Sequence, residues 1–190
     1  MEHAGSPNPS TCADKWPPHR VDDVLSFAAR EQWDCVGSAL DAGFPVNAVG
    51  TGVAADSLLH LAARLGCMPM LRRLLALGAH VDVRGAIQRS PAYYAAMHDH
   101  TDVLVALVEA GADVNARTAS LDTPLHKAVL YSLPCTRYLL SLPQVDLSAT
   151  DKGGYTAEHE ARMYGRTAAA DAVRAEVRAA SLRCGDSSDH

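Results

Sequence analysis

One short phrase returns every 33 residues in this chain, and this period constrains the fold more than any other feature. The phrase starts with Ser or Thr, and its four copies read SLLH at 57–60, SPAY at 90–93, TPLH at 123–126 and TAEH at 156–159. An alanine two residues after each copy keeps the same step. Several columns with one period predict a chain of equivalent stacked units instead of a single globular core.

The phrase predicts the start of a helix. A Ser or Thr hydroxyl caps free amide groups, and the proline of two copies lacks the N–H that a first helical turn cannot use. Small residues such as Ala95 and Ala128 allow a neighbouring helix to approach, and Gly78 and Gly111 offer the left-handed conformation that ends a second helix. Each unit is therefore predicted to be a helical hairpin that buries its apolar face by stacking on the next unit.

A second repeated phrase lies between the copies of the first and reads LLALGAHVD at 74–82 and LVEAGADVN at 107–115. Together the two phrases resemble the ankyrin repeat, whose pattern reads almost intact through residues 85–128. The resemblance implies an all-α ankyrin-repeat solenoid of about five stacked helix-turn-helix units with projecting β-turn loops. The first and last units depart most from the pattern and are interpreted as capping repeats. The predicted units occupy residues 21–51, 52–84, 85–117, 118–150 and 151–183.

Composition and charge argue against several classes of protein. The 190 residues are 48% hydrophobic with a net charge of −5, so the basic stripe of a general nucleic-acid binder is not expected. No apolar run is long enough to predict a membrane span. The first residues lack the order of a signal peptide, so a cytoplasmic location is expected, with the nucleus as the alternative, and secretion is not. Residues 1–20 and 184–190 are predicted to be disordered tails.

No residue pattern indicates a metal site. His60, His126 and His159 share one column, but packed helices lie about 8–10 Å apart, whereas zinc-bound nitrogens lie about 2 Å from one ion. The ankyrin resemblance implies instead that each of these histidines bonds the backbone and the neighbouring hydroxyl. His98 and His100 supply only part of the four-ligand set that zinc needs.

Catalysis and cofactor binding are not expected either. The loop at 50–55 fits G-x-G-x-x-A, but no apolar strand precedes it, so it is interpreted as a flexible loop. The five cysteines are widely spaced and contain no C-x-x-C pair, which predicts reduced thiols without a disulfide framework.

Partner binding is expected at positions that the repeat itself does not need. By resemblance to the family, the loop tips and inner helices project onto one concave surface. Exposed Tyr and Met favour contact with a partner. The alternative is that they pack on adjacent repeats, as Tyr93, Tyr94 and Tyr138 are expected to do. The predicted partner-binding residues are Arg64, Leu65, Arg84, Ile87, Arg89, Met97, His98, Arg117, Asp122, Leu130, Tyr131, Lys152, Tyr155, Met163 and Tyr164.

The function expected from these features is a non-catalytic protein-protein interaction module that binds a protein partner as a monomer. It would act as an adaptor or scaffold, or as an inhibitor that occludes an enzyme. The alternative is a nucleic-acid or enzyme-accessory subunit whose basic loop tips contact phosphate. Basic residues outnumber acidic ones near the tips, so a weakly acidic partner segment with an apolar anchor would also complement this face.

Asn115 is a candidate modification site. Many ankyrin repeats are hydroxylated at the asparagine of GADVN, and the stretch from Leu107 to Asn115 matches the favoured context. The alternative is an asparagine that fixes the turn with its own side chain.

Overall fold

The computed structural model describes residues 21–50, 55–85 and 87–185 of the chain. The predicted tail at 1–20, residues 51–54 of the glycine loop and residues 186–190 lie outside this range. Ten helices form within it, arranged as five consecutive hairpins, and none is long and apolar enough to cross a membrane. The hairpins pair α1 (Val21–Ala29) with α2 (Trp33–Asp41), α3 (Leu58–Arg64) with α4 (Met68–Ala76), α5 (Pro91–Met97) with α6 (Thr101–Glu109), α7 (Pro124–Tyr131) with α8 (Leu133–Leu140), and α9 (Ala157–Met163) with α10 (Thr167–Gly185).

The repeated phrase starts α3, α5, α7 and α9, as predicted. In each case the hydroxyl of the Ser or Thr accepts a hydrogen bond from the backbone N–H three residues later. Pro91 and Pro124 occupy the first position of their helices, where no N–H is needed. The sequence prediction of these helix starts is confirmed.

Stacking buries the alanine column. The first helices of consecutive units pack on one another, and so do the second helices from α4 to α10. Ala62, Ala95, Ala128 and Ala161 are completely buried between the first helices. Leucines of the second helices, including Leu71 and Leu104, fill the space behind them. This all-α repeat fold is the one that the period predicts.

In most units the turn between the two helices of the hairpin contains a residue with left-handed backbone. Gly66 and Gly165 adopt a φ of 68°, and Asp99 adopts 62°. A Cβ on Gly66 would lie 2.6 Å from ring atoms of His100, so glycine is required there. In the first unit Trp33 stands in the glycine column, and the left-handed residue is Glu31, with a φ of 60°, two positions earlier.

The fourth unit turns without a left-handed residue. Ser132 is extended, with a φ of −145° and a ψ of 104°, and both ends α7 and caps α8. Its hydroxyl accepts the N–H of Cys135 and donates to the carboxylate of Asp99 in the preceding unit. One serine thereby replaces the glycine and links two units.

The loops between units pair with one another through their main chains. Each loop tip has a left-handed residue, and these are spaced by one period at Ala55, Gln88, Leu121 and Gly154. Ala119 N–H donates to Ile87 O at 3.0 Å, and Lys152 N–H donates to Ser120 O at 2.9 Å. We call this row of hydrogen-bonded tips the tip ribbon.

Two details differ from the sequence predictions. The last helix runs to Gly185, two residues beyond the predicted end of the repeats at 183, and spans 19 residues. Cys67 and Cys135 are free, but Cys35 is disulfide-bonded, so the expectation of reduced thiols was wrong for Cys35.

Candidate protein-binding surface

The first helices and the tip ribbon together form one side of the stack, which we call the inner surface. The prediction that Tyr93 and Tyr94 pack inside the stack is confirmed, since both are buried. Met97 and Leu65 are half-buried, and Leu130 is 9% exposed and belongs to the core. The inner-surface residues that are well exposed are Ile87, His98, Arg117, Tyr131, Lys152, Tyr155, Met163 and Tyr164.

An apolar patch lies where units four and five meet. It consists of Tyr131, Met163 and Tyr164, which are 55%, 60% and 66% exposed. Tyr131 ends α7, and Tyr164 follows α9 at the equivalent position one period later. A groove of about 260 Å³ opens beside them, lined in part by Tyr131, Leu133 and Ala168. The patch therefore offers aromatic side chains next to a groove whose lining is partly polar and partly apolar.

A basic cluster lies at the other end of the inner surface, where units two and three meet. It consists of Arg64, Arg89 and His98. The guanidinium of Arg89 lies 5.4 Å from the ring centre of Tyr93 and 5.7 Å from that of Tyr94, within cation–π range. The ring of His98 stacks on Tyr94 at 6.4 Å.

The arginines of the basic cluster create a positive electrostatic potential around His98. The pKa of His98 is lowered by burial and by the nearby charges of His100, Arg64 and Arg89. Arg64 Nε is buried and has no hydrogen-bond partner among the described residues. The side chain thus keeps a donor that the fold does not use.

His98 and His100 do not form a metal site with a described third ligand. Their rings are stacked 6.5 Å apart, so their nitrogens do not converge on one point. His100 Nε2 instead donates to the carbonyl of Arg64 at 3.1 Å. This histidine braces the turn against the preceding unit.

An ion cluster lies near the starts of α7 and α9, the two helices that carry the apolar patch at their ends. Lys127 Nζ lies 3.0 Å from a carboxylate oxygen of Asp122 and 3.4 Å from one of Glu160. Burial opposes the charge of Lys127, but Asp122 and Glu160 outweigh it and raise the pKa of the ammonium. Burial also raises the pKa of Glu160, against the attraction of Lys127. The carboxylates of Asp122, Asp151 and Glu160 lie close together, and the ammonium of Lys127 supplies the positive charge there.

Two predicted tip arginines serve the scaffold. Arg84 donates to the carbonyl of Arg117 at 3.2 Å and lies 4.0 Å from a carboxylate oxygen of Asp113. Arg117, one period later, donates to the carbonyls of Leu121 and Thr150. Both guanidinium groups therefore join neighbouring loops instead of pointing freely at a partner.

Asn115 also joins neighbouring units. Its Nδ2 donates to Gln144 O at 2.7 Å, and its Oδ1 accepts the N–H of Asp146 at 2.8 Å. Asn47 makes the equivalent pair of bonds to Gly78 and His80. Hydroxylation of Asn115 stays a prediction, which mass spectrometry of the protein from cells with an asparagine hydroxylase would test.

The histidine column holds helix starts to the following loop. His60 Nδ1 lies 3.0 Å from the Ser57 hydroxyl, and His126 Nδ1 lies 2.8 Å from that of Thr123. These contacts bear out the implied role of both histidines. His159 differs, because its ring is exposed and lies against Tyr155, and no described backbone or hydroxyl group bonds it.

The sequence predictions missed one column of the inner surface. It follows the histidine column by one residue and contains Leu61, Tyr94, Lys127 and Glu160. The period itself was the available signal, since these positions also recur every 33 residues. The role of these side chains in the inner surface depends on contacts with the preceding loop, such as the hydrogen bond of 3.3 Å that Tyr94 Oη donates to Asp56.

Comparison with known proteins agrees with this architecture. A family model described as ankyrin repeats (3 copies) matches residues 25–118. The chain is 33% identical over 104 residues to the yeast Saccharomyces cerevisiae protein "Target of rapamycin complex 2 subunit AVO2", covering 53% of this chain and 24% of that protein. It is 37% identical over 99 residues to "Protein PhlB" of Serratia liquefaciens, covering 52% and 43% of the two chains.

A third relative is the mouse "Ankyrin repeat domain-containing protein 37", which is 37% identical over 97 residues, or 50% of this chain and 60% of the relative. The aligned part thus spans less than two thirds of each of these three proteins. The matched repeats and the stacked hairpins lead to one conclusion, that this chain belongs to the ankyrin repeat family.

Proposed function

We propose that this chain is a non-catalytic module that binds one protein partner across the inner surface of its third to fifth units. Ankyrin repeats are generally protein-interaction modules. One relative carries in its name the role of a subunit in a larger complex, which fits an adaptor. An inhibitor that covers the active site of an enzyme would use the same surface.

The apolar patch carries this proposal. Tyr131 and Tyr164 remain largely exposed at equivalent positions of neighbouring units, with the exposed Met163 next to Tyr164 and a groove of about 260 Å³ beside them. Tyrosine supplies large contact area at low conformational cost, and it is frequent among residues that dominate binding energy. The repeat itself does not require these side chains. Tyr131 and Tyr164 are exposed, whereas the alanines that pack the first helices together, Ala128 and Ala161, are fully buried.

Contact with phosphate through the tips has less support. Arg84 and Arg117 donate hydrogen bonds to neighbouring loops, so among the described tip residues the exposed Lys152 is a cation that does not join loops through its side chain. A nucleic-acid backbone would need a longer basic stripe. A steep fall of binding with salt would favour this alternative.

The test is an affinity capture from cell extract with the full chain as bait. The wild type is compared with a Tyr131→Ala/Tyr164→Ala variant, after circular dichroism and melting show that both are folded. A matched control replaces two exposed leucines elsewhere, Leu77→Ala/Leu182→Ala. We expect a partner that the control retains and the tyrosine variant loses.

Retention of every partner by the tyrosine variant would contradict the proposal. If the captured partner is an enzyme, its activity with and without the chain separates the two modes. An inhibitor lowers the activity in proportion to occupancy, whereas an adaptor leaves it unchanged.

A further inference from the structure

The two ends of the inner surface have opposite chemistry. The apolar patch lies between α7 and α9, and the basic cluster lies between α3 and α5. Near the starts of α7 and α9 the ammonium of Lys127 is held by Asp122 and Glu160, with all three side chains at most 15% exposed. A partner that reaches both sites therefore meets cations between α3 and α5 and aromatic rings between α7 and α9.

The cations of the basic cluster have no carboxylate of their own. Neither Arg64 nor Arg89 forms an ion pair with a residue in the described part of the chain. Asp56 accepts a hydrogen bond from the hydroxyl of Tyr94, over whose ring Arg89 lies. The situation differs one unit later. There Asp122 stands in the column of Arg89, and it forms an ion pair with Lys127, which stands in the column of Tyr94.

The side chains of this cluster are also held in place. Arg89 lies over two buried tyrosine rings, and His98 is stacked between Tyr94 and His100. A fixed guanidinium loses less conformational entropy when it binds a carboxylate than a mobile lysine would. The buried, unused Nε of Arg64 adds a donor whose hydrogen bond a ligand could complete.

We propose that the basic cluster binds an aspartate or glutamate side chain of the protein partner, in an extended segment whose apolar residue occupies the apolar patch. This inference rests on the proposed function and specifies the chemistry of the partner. A carboxylate suits the site better than a nucleic acid does, because two unpaired arginines match one acidic group and form no stripe.

The distance between the basic cluster and the apolar patch sets how far apart the acidic and the apolar residue of the partner must be. Neighbouring first helices pack about 8–10 Å apart, and the centres of the two sites are two helices apart, or about 16–20 Å. An extended chain advances about 3.3 Å per residue. The acidic and apolar residues of the partner should therefore be about five or six positions apart.

The experiment selects peptides from a phage-displayed library of random 12-residue sequences on the full chain. We expect enrichment of Asp or Glu about five or six positions from an apolar or aromatic residue. Binding of a selected peptide should weaken about tenfold in an Arg64→Gln/Arg89→Gln variant, because a charge-assisted contact is lost. The matched control, Arg72→Gln/Arg137→Gln, removes two exposed arginines of the second helices and should bind normally.

A second measurement needs no variant of the protein. Replacement of the acidic residue of the selected peptide by its amide should also weaken binding to the wild type about tenfold. Enrichment of peptides without an acidic residue, or equal binding by the Arg64→Gln/Arg89→Gln variant, would overturn this inference and leave the proposed function standing. A library from which no peptide is enriched would count against both.

Discussion

His60 Nε2 donates a hydrogen bond of 3.0 Å to the main-chain carbonyl of Arg89, 29 residues further along the chain. At its other nitrogen, Nδ1, the same ring accepts the backbone N–H of Ser57 at 3.0 Å. A neutral imidazole with its proton on Nε2 satisfies both contacts. One buried side chain therefore joins the start of α3 to the next loop and sets the backbone position of an arginine of the basic cluster.

The stability of the protein should fall in mild acid. Burial lowers the pKa of His60 below its ordinary value, so the unfolded chain takes up this proton more readily than the folded one. The contribution of neutral His60 to stability is therefore complete above about pH 6.5 and is lost as the pH falls further. We expect urea denaturation to show a smaller free energy of unfolding at about pH 5.5 than at about pH 7.5.

Two glutamine variants test this assignment. His60→Gln should reduce the dependence on pH, whereas His159→Gln, at an exposed ring, should keep it. A pH dependence in His60→Gln as steep as that of the wild type would show that other groups are responsible.

A charge in the alanine column should disrupt the stack. Ala128 is completely buried between first helices, and Ala128→Asp would place an unpaired carboxylate there as well as a steric clash. The expected loss is about 3–5 kcal/mol of the free energy of unfolding, measured by urea denaturation. Ala168→Asp, at an exposed position in the first turn of α10, should change it by about 0.5 kcal/mol at most. A mild effect of Ala128→Asp would mean that the first helices separate easily.

Lys127 should stabilise the protein by neutralising two carboxylates. Lys127→Met leaves Asp122 and Glu160 facing each other at a largely buried site, and we expect a loss of about 1–3 kcal/mol near neutral pH. Because the pKa of Glu160 is already raised by burial, protonation on acidification should relieve this repulsion. The difference between wild type and variant should thus narrow as the pH falls from about 7 toward 5.

The double variant Lys127→Met/Glu160→Gln provides the control for that interpretation. It should recover part of the lost stability near neutral pH, since one of the two facing charges is removed. A deficit that stays constant with pH, without recovery in the double variant, would assign the effect of Lys127 to packing.

Hydrogen exchange should be fastest in the first unit. Within the described part of the chain, α1 and α2 pack on each other and on one neighbouring unit, whereas α5 to α8 are flanked on both sides. Amides at 21–45 should therefore exchange faster than those at 90–140. Similar protection in both ranges would mean that the array unfolds as one cooperative block.

The sequence predicted the scaffold better than the surface, for a physical reason. Helix starts follow from local chemistry, so the phrase at 123–126 was enough to predict the start of α7. A side chain at a loop tip takes its direction from the neighbouring loop, and the sequence therefore did not reveal that Arg84 reaches the carbonyl of Arg117. The same limit applies to Leu130, whose burial depends on packing against adjacent helices.

The turn of the first unit shows a related limit. A glycine column predicts where left-handed backbone occurs in most units, but a period cannot indicate which residue replaces a missing glycine. Glu31 takes this conformation two positions before Trp33, because α1 ends at Ala29 and α2 begins at Trp33, each two positions earlier in the period than the bounds of α3 and α4.

The tip ribbon holds neighbouring loops together without fixing which side chains they carry. Its loop-to-loop hydrogen bonds use the main-chain atoms of Ile87, Ala119, Ser120 and Lys152, so they place no demand on what those side chains are. The identities of these residues can therefore drift or be redesigned without loosening the frame that presents them. A chain built in this way can exchange one recognition sequence for another while its architecture stays constant.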